Sequence, residues 1–307
     1  MFRFCKFDRM KTRFTLILLV VTTTLIYQSC DYVSNAVPIP TAGSSSTIGS
    51  TTGSQTIYRK ALIEDYTGHK CGNCPGAARE LHRLDSVYAG RIVPIAVHAG
   101  FYANVNSTYP ADLRSQAGTD WDQAFQISMG PGNPNGLVGR VGYNTSNFIQ
   151  AYSLWGGSAV AIDTMPAAFK IDINNAYNTL TSVLTTTITS TALKDTSGTL
   201  SLVVVITEDS IIGAQLDYSL NTTQYPNQIM PNYVFNHVLR GAVNSSWGAQ
   251  ILNGTISRNS VVTKNYSFTL NSGWNYKHCK VVAFIFNSNP SSPAYYEVLQ
   301  AEDKAIQ

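Results

Sequence analysis

Leu62-Ile63-Glu64-Asp65-Tyr66-Thr67-Gly68-His69-Lys70-Cys71-Gly72-Asn73-Cys74-Pro75 decides how this chain is read. The run Ala61–Tyr66 has the composition of a buried strand. From Pro75, the residues Ala78, Leu81, Leu84 and Tyr88 recur at a spacing near about 3.6, which predicts one apolar helical face to Tyr88. Gly90 follows as a helix stop. The two cysteines therefore sit where a strand passes into a helix. Thiols at i and i+3 on a first helical turn are close enough to join. Unsatisfied N–H groups at a helix start favour the thiolate of the first one, and Lys70 and His69 add positive charge beside it. For redox work, Cys71 is the exposed nucleophile and Cys74 the resolving thiol. The competing reading is a structural disulfide.

A Cys-x-x-Cys at such a junction resembles the thioredoxin dithiol. The resemblance implies two further residues. Asp65, six positions before Cys71, matches the buried acid that relays the proton of the resolving cysteine. Pro134, in Gly132-Asn133-Pro134-Asn135-Gly136 ahead of a strand, matches the cis-proline that faces the dithiol, with Pro131 as second candidate. The chain departs from the thioredoxin pattern at Lys70 (Trp is usual), at Gly72-Asn73 (Gly-Pro is usual) and at Asn135 (Thr is usual). A zinc site would need His69 or His82 to join the pair, and no second Cys-x-x-Cys exists. No cofactor is implied: there is no glycine-rich phosphate loop, no Ser-His-Asp pattern and no His-x-x-x-His pair.

The 307-residue chain opens with Arg3, Lys6, Arg9, Lys11 and Arg13, then the apolar, threonine-rich Phe14–Tyr27. This is an export signal over residues 1–29, too short to span a membrane comfortably. Leu25-Ile26-Tyr27-Gln28-Ser29-Cys30 resembles a relaxed bacterial lipobox, which implies cleavage before Cys30 and a lipid on its thiol. The Pro/Gly/Ser/Thr-rich stretch to Thr56 is a tether with a span of roughly 25–30 Å. Removing residues 1–29 takes away five basic residues and one acidic residue. The formal charge falls from +3 to −1, which leaves no electrostatic basis for nucleic-acid binding. Export places the cysteine pair in an oxidising setting. Cys279 reads as a buried strand thiol, and His98 and His237 as structural histidines in strands.

The rest divides by pattern. Residues 57–165 read as α/β: a strand at Arg91–His98, a helix from Thr119, a strand over Gly136–Tyr143, and a closing helix over Phe148–Ile162 interrupted at Gly156-Gly157. Residues 166–307 read as all-β, with seven candidate strands: Phe169–Ile173, Leu180–Leu193, Leu200–Thr207, Tyr233–Val243, Val261–Leu270, Lys280–Asn287 and Glu297–Ala301. Asp195-Thr196-Ser197-Gly198 and Asn271-Ser272-Gly273 read as turns. The expectation is an α+β, two-domain chain: a thioredoxin-like α/β domain followed by an all-β sandwich of immunoglobulin-like size.

The opening stretch, with Ile95-Ala96-Val97-His98-Ala99-Gly100, Pro134-Asn135-Gly136-Leu137-Val138-Gly139-Arg140, Asn236-His237-Val238-Leu239-Arg240 and Val281-Val282-Ala283-Phe284-Ile285, resembles the Bacteroidetes outer-membrane lipoproteins related to the 28-kDa outer-membrane protein. The resemblance covers about residues 57–301. Asn135 and Gly139 stand where that family has Thr and Asn. It implies a thioredoxin-like domain fused to a β-sandwich and anchored at the outer membrane through Cys30. It also implies a surface- or periplasm-facing binding or structural protein, with an extracellular ligand or a protein disulfide as partner. The alternative is a thiol–disulfide oxidoreductase working through Cys71, Cys74, Asp65 and Pro134.

Overall fold

The computed structural model describes residues 56–306; the signal segment, Cys30 and the tether up to residue 55 lie outside the described residues. The opening stretch forms strand β1 (Ala61–Thr67), and helix α1 (Cys74–Val87) follows the cysteine loop. Every residue of β1 is buried because both faces of the strand are covered. Ala61 and Ile63 pack with Ala77, Leu81 and Leu84 of α1. Leu62 and Tyr66 point the other way, into a core with Trp121 and Phe125. Period-two alternation therefore puts Asp65 and Thr67 on the α1 side. Pro75 lies in the first turn of α1, where its missing N–H costs no helical bond.

Strand β2 (Ile92–His98) pairs parallel with β1, and β3 (Asn135–Val138) pairs antiparallel along its other edge. Helices α2 (Gln116–Phe125) and α3 (Trp155–Asp163) complete the helical complement among the described residues, apart from three short 3-10 turns. Trp121 and Phe125 of α2 cover one face of the sheet, and Trp155, Ala159 and Ile162 of α3 join α1 on the other.

The second half supplies β4 (Phe169–Asn178), β5 (Val183–Ala192), β6 (Thr196–Glu208), β7 (Ile211–Leu216), β8 (Ile229–Phe235), β9 (Val238–Ala242), β10 (Ala249–Ile256), β11 (Val261–Thr269), β12 (Cys279–Asn287) and β13 (Val298–Ala305). These do not form a separate set of sheets. One eight-stranded sheet has the order β13-β12-β6-β9-β2-β1-β3, with β10 beside β6. A three-stranded sheet, β11-β5-β4, packs over it. Phe169, Ile171, Ile173, Leu184 and Ile188 meet Leu202, Val204, Val281 and Ala283 in a sandwich core. The opposite face of the same strands (Val203, Val205, Val282, Phe284) enters the core that holds Trp121, Leu62 and Tyr66. The large sheet thus runs through the boundary expected at 165/166, and Gln55–Gln307 forms one compact unit.

Several element expectations are corrected. The second helix starts at Gln116, because Ser115 is its cap: the hydroxyl accepts from the Gly118 N–H at 3.1 Å. Thr119 has a capping residue's chemistry but spends its hydroxyl on the Ser115 carbonyl inside the helix. The strand expected over Gly136–Tyr143 ends at Val138, because Gly139 and Arg140 both take left-handed backbone angles, φ 59° and 51°. Gly156-Gly157 does not break α3; a Cβ on Gly156 would lie 3.3 Å from Leu84 Cδ2, so the glycine permits close packing on α1. The strand expected over Tyr233–Val243 is two strands in different sheets. His237, between them, has φ 57°, and its N–H donates to Asp209 Oδ1 at 2.7 Å. It is a corner, not a strand residue. The Asp195–Gly198 turn is replaced by the start of β6 at Thr196, and β7 and β10 were not expected at all.

Candidate functional site

β1 and β2 are parallel, so the loop after β1 opens at the same sheet end as the C-terminus of β2. That loop carries the cysteines. Cys71 and Cys74 are joined as a disulfide, with Cα atoms 5.4 Å apart. The helix begins at Cys74, so Cys71 lies in the turn that precedes it. Both are buried, at 3% and 1% exposure, and this departs from the exposed nucleophile expected at Cys71.

Two segments enclose the loop. On one side the Lys70 N–H donates to the Tyr102 carbonyl at 3.0 Å, and a Cβ on Gly68 would lie 2.5 Å from the Tyr102 backbone. On the other, the β7–β8 ribbon lies directly on the cysteines. The Leu216 N–H donates to the His69 carbonyl and the Tyr218 N–H to the Gly72 carbonyl, both at 2.9 Å. Gln215 Nε2 donates to the Cys71 carbonyl at 3.1 Å. The Tyr218 ring sits over Gly72 so closely that a Cβ there would be 2.6 Å from ring carbons. Asp217 pairs with Arg79 of α1 at 3.2 Å.

His69 does not supply the charge expected of it. It is buried and stacks on Tyr109 with centroids 5.1 Å apart, and Nε2 faces the Asn104 carbonyl. Burial, the largest cause, lowers its pKa below the ordinary 6.5, so it is neutral at neutral pH. Lys70 places its ammonium over the Phe101 ring at 4.6 Å.

Asp65 lies on the α1 face of β1, 1% exposed, with Oδ1 lacking a hydrogen-bond partner. Desolvation raises its pKa from 3.8 to about 8, so it is mostly the neutral acid at pH 7. His98, on the same face of β2, is also buried, and its Nδ1 has no partner. Desolvation, the largest cause, lowers its pKa to about 3, and the nearby Arg240 guanidinium acts in the same direction. The Asn133–Pro134 peptide bond is cis. Asn135 pairs with Tyr66, which puts Pro134 at the sheet end where the cysteine loop leaves β1.

Beneath the ribbon is a cavity of about 350 Å³. Its floor is Asp65, Thr67, Ala96 and His98; one wall is α1 from Cys74 to His82, and the other is β8 with Met230, Tyr233 and Phe235. No local pattern signals the ribbon's contribution, since Gln215, Asp217 and Tyr218 lie more than 140 positions from the cysteines they cover. Cys279 is a free buried thiol with its pKa raised to about 12 by desolvation, which makes it inert. Among the described residues no group of His, Cys, Asp and Glu could hold a metal, and no helix is long and apolar enough to cross a membrane.

Residues 122–307 match the family model described as Outer membrane protein Omp28. The chain belongs to the Omp28 family. It is accordingly an outer-membrane protein of the cell envelope. No curated protein matches the sequence significantly. Among solved structures, HBP35 of Porphyromonas gingivalis aligns over 82% of this chain and 76% of its own, at 19% identity and a TM-score of 0.61. A protein of Agrobacterium tumefaciens aligns over 82% and 96%, at 12% identity and a TM-score of 0.51. A domain of the outer-membrane lipoprotein Omp28 from Porphyromonas gingivalis aligns over 46% and 89%, at 21% identity and a TM-score of 0.31. For this Omp28-family chain, the first two likenesses establish the shared fold.

Proposed function

We propose that this Omp28-family protein is a lipid-anchored binding protein of the outer membrane, built on a thioredoxin-like scaffold whose cysteine pair is kept as a closed disulfide. Cys30 carries the anchor, and the tether holds the folded body clear of the headgroups. The observation that carries the reading is the cover over the disulfide: residues 215–218 make three hydrogen bonds to the His69–Gly72 backbone, and both cysteines are shielded. A disulfide exchanges only when a thiolate reaches one of its sulfurs in line, so a covered pair works as a staple for the loop between β1 and α1. The partner is then a ligand of the cavity or of the surface around it.

A second reading is favoured by Asp65. A buried acid that holds its proton near neutral pH is what a resolving cysteine needs, and Asp65 and Cys74 line one cavity. With Pro134 at the same sheet end, this is the constellation of a thiol–disulfide oxidoreductase. In that reaction the Cys71 thiolate attacks a substrate disulfide and Cys74 resolves the mixed disulfide, reducing the substrate and oxidising the pair.

Cys74→Ser in the full chain separates the two. The binding reading predicts no mixed disulfides beyond those of the Cys71→Ser, Cys74→Ser double variant. Envelope proteins trapped through Cys71 would overturn it in favour of the oxidoreductase.

A further inference from the structure

The cavity under the ribbon has the volume and character of a small-molecule site, and its lining restricts what it can hold. Small-molecule sites occupy roughly 300–1,000 Å³, with apolar walls and a few convergent polar groups. Here Ala78, Leu81, Met230, Val234 and Phe235 supply apolar wall. The polar groups converge on the floor: Asp65, Thr67 and His98 side by side on two paired strands, with Tyr233 opposite. Asp65 Oδ1 and His98 Nδ1 are buried and unpartnered. Buried polar atoms are almost always paired, and leaving one unpaired costs about 1–3 kcal/mol. Both atoms belong to residues that line the cavity, and a ligand that reaches them supplies the missing partners.

Charge narrows the class. At neutral pH Asp65 is predominantly its neutral acid and His98 its neutral imidazole. Arg79 stands half-exposed at the mouth and is already paired with Asp217. A charged ligand would lose its hydration on that floor and meet no counter-charge there, which is strongly unfavourable. A pure hydrocarbon would fill the walls but leave the floor groups unpaired.

We infer that the cavity between α1 and β8 binds an uncharged, ring-sized molecule carrying a hydrogen-bonding oxygen, of the phenol or quinone type, seated on Asp65 and His98. This rests on the binding reading above, and it names that reading's ligand class. The apolar ring takes the Ala78, Leu81 and Phe235 walls, and the oxygen meets the floor pair.

The test uses three probes of one ring size, para-fluorophenol, fluorobenzene and para-fluorobenzoate, added to the full-length protein and followed by fluorine NMR. The phenol should bind about tenfold or more tightly than either of the others, the equivalent of one net hydrogen bond over the hydrocarbon. Ala78→Trp, which fills the cavity from the helix side, should abolish binding; Met230→Trp fills it from β8 and serves if the first variant misfolds. Val87→Trp, on the exposed end of the same helix, should leave binding intact. Equal affinity for all three probes, no binding of the phenol, or phenol binding that survives both filling variants would overturn the inference. None of these outcomes depends on whether Cys74→Ser traps a partner, so the ligand class and the binding reading fail separately.

Discussion

Asp65 and His98 are the residues on which the chemistry of this face turns, and each leaves a signature in stability. The unfolded chain releases the Asp65 proton above about pH 4, whereas the folded chain keeps it until about pH 8. The stability from Asp65 is therefore complete below pH 4, declines as pH rises, and is gone above 8. His98 runs the other way: neutral when folded down to about pH 3, it contributes fully above the ordinary 6.5 and is lost as pH falls toward 3. Between about pH 4 and 6.5 the two slopes, each near 1.4 kcal/mol per pH unit, oppose one another. From 6.5 to 8 only Asp65 acts, so stability should fall by about 2 kcal/mol. Asp65→Asn should remove that fall and leave the variant more stable than the parent at pH 8, as measured by denaturant unfolding at pH 5, 6.5 and 8. A variant that declines as the parent does would contradict the assignment. Asp65 was singled out only through the thioredoxin resemblance, which expects a buried acid six residues before Cys71; the structure buries it. The neutrality of His69 was not legible, because its burial is made by Tyr109 and the Asn104 backbone, which no local pattern reports. The buried Glu64–Arg140 pair was equally hidden: both side chains are inaccessible, with two hydrogen bonds of 2.7 Å across 76 positions.

At the scale of elements, the β7–β8 ribbon is the decisive piece. Among the described residues its strands pair only with each other, as a two-stranded sheet, and it reaches the cysteine loop through a few backbone bonds. A two-stranded ribbon is marginal by itself, so its hold on the loop depends on those bonds, the Tyr218 ring and the Arg79–Asp217 pair. Arg79 is 58% exposed, so that pair contributes little. Tyr218→Ala should therefore loosen the cover more than Asp217→Asn does. Amide exchange at Leu216 and Tyr218 should accelerate by about tenfold in Tyr218→Ala while β1 stays protected; unchanged exchange would mean the ring does not hold the ribbon down. The helix α1 was legible because Ala78, Leu81, Leu84 and Tyr88 recur at helical spacing, although it is Ala77 rather than Ala78 that packs in the core with Leu81 and Leu84. The strand β7 was not, because Gly213 and Gln215 interrupt the apolar alternation and the strand is only partly buried.

For the whole molecule, the sequence divides by composition near residue 165, but the hydrophobic core does not. Val203, Val205, Val282 and Phe284 of the second half complete the core around Trp121 and Leu62 of the first. Residues 57–165 alone should expose that face and lack a cooperative unfolding transition, whereas residues 57–307 should unfold in a single step by calorimetry. Two well-resolved transitions in the longer chain would show independent halves. The halves were legible because helix and strand periodicities are local; the shared sheet was not, because the β2–β9 and β6–β9 pairings join residues far apart in sequence.

The Cys71–Cys74 disulfide lies under a cover made by the molecule itself. The most direct measurement is the rate at which thiols appear when the native full-length protein meets increasing concentrations of a small phosphine reductant. A covered disulfide predicts a rate that levels off at high reductant, set by opening of the ribbon, and a plateau about tenfold higher in Tyr218→Ala. A rate that rises in proportion to reductant throughout, at the speed of an exposed disulfide and with no change in Tyr218→Ala, would mean that the disulfide is open to solvent and the ribbon does not cover it.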